Sequence, residues 1–114
     1  MITTSNERET VTEAAGEKGI LRLDKLISDE IAPSSLRTYA RASLDPGAEV
    51  SFHVHTGESE CYYILSGNGE YDDDGQKVSV TAGDVTFTPD GHGHGIKNVG
   101  SDTLEFMALI IRDM

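Results

Sequence analysis

Tryptophan is absent from this chain of 114 residues, and cysteine occurs once, at Cys61. A single thiol excludes an intrachain disulfide and any zinc site built from several cysteines. Basic residues are scarce, nine Lys and Arg against twenty Asp and Glu, which leaves a net charge of −11. That sign argues against nucleic acid or an anionic membrane as partner. No apolar run is long enough to span a bilayer, and the opening residues hold no signal-peptide core. The expectation is a soluble protein of a reducing cytoplasm. An apolar face at helical spacing is missing too: Asn6 to Ala15 could cap a short helix, but nothing in it would hold one against a core. No repeat and no low-complexity tract interrupts the chain, and its length suits one domain with a modest core.

What the chain does have is strand signal. Residues 1–18 are polar and read as an arm, with a single domain expected over 19–114. Ile20, Leu21 and Leu23 suggest a first strand, and Leu26 to Ile31 is ambiguous between a helical turn and a loop. Leu36 to Leu44 reads as a strand closed by Asp45-Pro46-Gly47. Asp72-Asp73-Asp74-Gly75 and Ala82-Gly83-Asp84 mark further tight turns. The Asp run is a solvated turn, since its spacing is not that of a calcium loop. About nine short strands with turns every eight to twelve residues indicate an antiparallel barrel or jelly roll.

The chemistry concentrates between Gly47 and Gly67. His53 and His55 stand two apart in an alternating run, so both imidazoles share one face with Cα atoms roughly 7 Å apart. At a metal–nitrogen bond of about 2.1 Å they can converge on one ion. The same parity sends Val50, Phe52 and Val54 outward. Thr56 to Ser59 forms the link of a hairpin, which folds Glu60 back beside the histidines. Two imidazoles and a carboxylate on neighbouring strands form a facial ligand set with open positions. Glu58 is a competing carboxylate but lies in the link. A glycine-rich loop, Pro89 to Gly95, supplies His92 and His94 as the remaining candidates.

These residues carry a resemblance. Gly47, His53, His55, Glu60 and Gly67 are similar in type and spacing to the first motif of the cupins. Gly83, Pro89, Gly91, His94 and Asn98 match the second, with a short fifteen-residue separation. The resemblance implies an all-β cupin jelly-roll barrel, a double-stranded β-helix of the small single-domain kind. It implies His53, His55, Glu60 and His94 as ligands of one divalent transition metal (Mn, Fe, Co, Ni or Zn). The motif's glycines, Pro89 and Asn98 take structural roles at turns and strand ends.

Around the ion, Tyr62 shares the face of Glu60, and His92 forms a second His-X-His with His94; these two are the candidate catalytic residues. Tyr39 and Arg41 share a face of the strand before the first motif, and either side of the sheet is open to them. Cys61 points away from Glu60 and reads as a small apolar residue. The site suits a small oxygenated anion, such as an organic acid or sugar acid, chelated by the ion as a Lewis acid. The alternatives are a non-catalytic binding module whose metal anchors its ligand, and an iron-dependent dioxygenase. Apolar residues on both faces of several strands lead to the expectation of a homodimer burying Val50, Phe52, Val54, Tyr63 and Leu65.

Overall fold

A computed structural model describes residues 1–16 and 19–113. The described residues form ten strands and no helix. In chain order these are β1 (Thr10–Ala14), β2 (Ile20–Lys25), β3 (Leu36–Leu44), β4 (Glu49–Val54), β5 (Glu58–Ser66), β6 (Asn68–Asp73), β7 (Gln76–Thr81), β8 (Val85–Thr88), β9 (Gly93–Asn98) and β10 (Leu104–Arg112). They make two antiparallel sheets, one ordered β1-β2-β3-β10-β5-β8 and the other β4-β9-β6-β7. The expected jelly roll is the fold observed. Residues 26–31 hold no regular element, and β1 lies within the stretch read as an arm, paired with β2. Glu17 and Lys18, beside the expected boundary at residue 19, lie outside the described residues.

Alternation explains the layers. In β5, Glu60, Tyr62 and Ile64 are buried, while Tyr63 on the other parity is exposed. In β3, Ala40, Ala42 and Leu44 are buried, and in β10 so are Leu104, Phe106 and Ala108. With Tyr71 and Val80 from β6 and β7 and Ile96 from β9, these side chains fill the space between the sheets. Gly67 carries the chain from one sheet to the other, at φ +94°, where a Cβ would meet the Thr103 carbonyl oxygen at 2.8 Å. Only glycine tolerates both the sign of φ and that approach. Asp74-Gly75 closes the β6–β7 hairpin with both φ angles positive, as its type predicts. Asn98 is buried, donates to the Leu44 and Asp102 carbonyls, and accepts from Gly100 N–H.

Two expectations drawn from parity need correction. Val50 packs against the core instead of facing out. The register explains it: Val50 pairs with Ile96 and His53 with His94, three steps on β4 against two on β9. The extra residue is a β-bulge, which lets two positions of opposite parity face the same way. The expected dimer patch is also divided. Phe52 and Val54 lie on the four-stranded sheet, whereas Tyr63 and Leu65 lie on the six-stranded one. No single sheet-on-sheet contact can bury all of them.

Candidate metal centre

Three segments bring the donors together. β4 and the residue just past its end present His53 and His55, β9 presents His94, and β5 comes across from the opposite sheet with Glu60. Backbone bonds hold the mouth of this arrangement: His55 N–H donates to the His92 carbonyl, and Gly91 N–H to the His55 carbonyl. One donor atom from each of His53, His55, Glu60 and His94 lies within 4.8 Å of all the others. Glu60 Oε1 is 2.9 Å from both His55 Nε2 and His94 Nε2, and the two nitrogens are 3.1 Å apart. Two ligands at about 2.1 Å from an ion and at right angles are about 3.0 Å apart, against about 3.4 Å for a tetrahedral pair. The spacing therefore fits one face of an octahedron.

The other ring nitrogens are occupied from outside. His53 Nδ1 lies 2.8 Å from the Ser51 carbonyl oxygen, His55 Nδ1 3.3 Å from Glu58 Oε2, and His94 Nδ1 2.7 Å from the Tyr71 hydroxyl. Tyr71 Oη in turn lies 2.8 Å from Thr88 Oγ1. The Ser51 carbonyl can only accept, which leaves His53 Nε2 unprotonated as ligation requires, and Tyr71 does the same for His94 when its own proton goes to Thr88. Glu58 Oε2 is buried without a hydrogen bond and faces the His55 imidazole at 3.3 Å. The donor set, its spacing and its outer partners all fit a divalent transition ion.

The cluster opens onto a cavity of about 710 Å³. Leu23, Val50, Phe106 and Ile110 give it an apolar wall, and Tyr62, Glu58 and Arg37 also line it. Tyr62 is buried and stacks on the His94 ring at 5.0 Å between centroids. Burial, and next to it the Glu60 carboxylate, push its phenol well above the ordinary tyrosine value. Tyr62 is thus a neutral hydroxyl within the cavity. Burial raises the Tyr71 phenol as well.

The remaining candidates lie elsewhere. The His92 side chain is half exposed and pairs through Nδ1 with Asp74 Oδ2 at 3.0 Å, outside the cavity lining. Tyr39 and Arg41 are on the outer face of β3, where Arg41 pairs with Glu105. Burial raises the thiol of Cys61 too, and the side chain points away from the donors. Three residues escaped the sequence reading: Tyr71, Glu58 as an orienting group, and Arg37. Glu58 had a visible signal, because it shares the parity of Glu60 and Tyr62 and β5 begins with it. Tyr71 had a weaker one, as the lone aromatic on a strand of polar residues and glycine.

The cupin domain model matches residues 40–110. The oxalate-binding protein of Thermotoga maritima is 44% identical over 103 residues, covering 90% of this chain and 85% of its own length. A crystal structure of a "predicted oxalate decarboxylase" from Thermotoga maritima superposes with a TM-score of 0.86 at 42% identity, covering 98% of this chain and 99% of that one. The oxalate decarboxylase of Bacillus subtilis is 29% identical over 79 residues, 65% of this chain but only 20% of the longer enzyme.

Proposed function

Because this chain belongs to the cupin family, we propose that it binds a small organic anion of the oxalate class at one divalent transition-metal ion held by His53, His55, Glu60 and His94. The observation that carries this reading is the donor cluster, spaced as cis ligands and opening onto a cavity sized for a small molecule. An ion held by these four side chains would have room for a carboxylate pair from the ligand if it were six-coordinate. When bound, the ion supplies positive charge and Lewis acidity to that chelate. The chain's own residues do the rest. Glu58, Tyr71 and the Ser51 carbonyl hold the imidazoles in place, the apolar wall excludes water, and Tyr62 offers a neutral O–H to the ligand. The relatives named for oxalate support this class of anion.

Catalysis on the same anion is the second reading, and Tyr62 favours it. A buried phenol held neutral in the cavity lining can donate a hydrogen bond to charge that develops on the bound anion. Of Tyr62, His92 and Tyr39, it alone lines the cavity. One set of measurements tests both readings. Calorimetric titration of the manganese-loaded protein with oxalate should show one site per chain. Metal-stripped protein and the His55→Ala variant should show none. Formate and carbon dioxide released from oxalate in the same sample would establish decarboxylation, and their absence would leave binding alone. Oxalate binding undiminished in the stripped protein refutes metal anchoring.

A further inference from the structure

The cavity's charge raises a question that the ion alone does not answer. Three carboxylates line it, from Glu13, Glu58 and Glu60, and among the described lining residues Arg37 is the one guanidinium or ammonium. With a divalent ion in place those charges balance, whereas without Arg37 the cavity would carry a net negative charge before any ligand arrived. A dianion would then enter against repulsion, inside a chain whose net charge is already −11.

Arg37 reaches this position through a break in the sheet. On β3 and β10, Thr38 pairs with Ile110 and Leu36 with Ile111, so Arg37 has no opposite number. Such a bulge redirects a side chain that regular alternation would place on the outer face with Tyr39 and Arg41. From there the guanidinium passes the end of β10 and donates through Nη1 to Glu58 Oε1. Glu58 Oε2 faces His55 Nδ1, so Arg37, Glu58 and the ligand His55 form one polar chain. A guanidinium has five N–H donors, and among the described residues this one makes a single side-chain hydrogen bond. Its side chain is half exposed, so its remaining donors have room to engage a ligand.

We propose that Arg37 is the specificity-determining residue for a doubly charged ligand: it binds the carboxylate oxygens that point away from the ion, while Glu58 holds it in place. This rests on the metal-anchored reading above and adds to it the residue that recognises the second carboxylate. A planar fork meeting the outer oxygens of a chelated dicarboxylate makes charge-assisted bonds that a chelating monoanion cannot use in the same way.

Oxalate and glycolate separate the two contributions, since both can chelate through two oxygens but only oxalate carries a second carboxylate. In the manganese-loaded protein, Arg37→Gln should weaken oxalate roughly tenfold to a hundredfold and glycolate less than about threefold. Metal content at saturating manganese should match the unsubstituted protein, the thermal midpoint should fall only slightly as Glu58 loses its charged partner, and Arg37→Lys should recover part of the oxalate affinity. Equal loss for both anions, no loss for oxalate, or loss of the metal itself would overturn the assignment. Should oxalate bind the unsubstituted protein as well without metal as with it, the metal-anchored reading fails first and this one falls with it. A failure confined to Arg37→Gln leaves metal anchoring standing.

Discussion

Removing one oxygen atom at Tyr71 tests whether the outer partners of the histidines matter. The hydroxyl lies 2.7 Å from His94 Nδ1 and 2.8 Å from Thr88 Oγ1. Tyr71, His94 and Thr88 are 3%, 0% and 2% exposed, so water cannot replace it without a local opening. Tyr71→Phe keeps the ring and its edge contact with Tyr62, which limits the change to polar terms. Leaving a buried polar group unpaired costs about 1–3 kcal/mol, and His94 and Thr88 share that loss. For a domain of this size the thermal midpoint of the metal-free protein should fall by roughly 4–12 °C. Metal affinity should fall about tenfold to a hundredfold as well, since His94 loses the partner that fixes its tautomer. Chelator competition measures the second quantity and differential scanning calorimetry the first. A lowered midpoint with unchanged affinity would make Tyr71 a core hydrogen bond with no part in ligation, and would refute the reasoning.

Three further outcomes are expected. An imidazole must be unprotonated to ligate, so bound metal should be lost as the pH falls below about 6; equal metal content after desalting at pH 5 and pH 7.5 would contradict histidine ligation. The Asp74 carboxylate is held below its ordinary value of 3.8 by His92 and by the Gly93 N–H. A carboxylate depressed in the fold stabilises above its unfolded value and loses that contribution as the pH falls through its folded value. Asp74→Asn should therefore lower urea stability at pH 7 and have less effect near pH 3, and an equal effect at both would count against the pair. The homodimer, if it forms through a sheet face, should use the six-stranded sheet. Tyr39, Leu109, Cys61 and Phe87 make one cross-strand row there, and Met107, Tyr63 and Val85 occupy the next. Phe87, 60% exposed, should split the dimer when changed to Asp, whereas Phe52→Asp on the other sheet should not; light scattering that shows a monomer before any substitution would sink the idea.

What was legible in the sequence, and what was not, divides along a physical line. Strict alternation is a property of side-chain type, so β5 could be read correctly: Glu60, Tyr62 and Ile64 in, Tyr63 out. Fixed spacing of donors is likewise a sequence property: His53, His55 and Glu60 lie together as their spacing implied, and His94 joins the cluster as the resemblance implied. A bulge is decided by which backbone groups pair, and no residue type announces it. Val50 was misread for that reason, and Arg37 was passed over for the same one. Sheet membership was lost in a similar way. Phe52 and Tyr63 both carry outward parity, but parity does not say which sheet a strand joins.

These misreadings are not scattered at random. Two of the three register shifts border the same cavity, one turning Val50 and His53 inward together, the other releasing Arg37 from the outer face, while the third leaves Leu65 unpaired away from it. A regular sheet presents alternate residues at even intervals on one surface, whereas chelation needs donors that converge from different heights and directions. In this barrel, breaks in the ladder help to meet that demand. One shapes the wall beside His53, and the other brings in a cation that uninterrupted alternation would have left outside. At these two breaks the fold gives up local regularity for the geometry of the site.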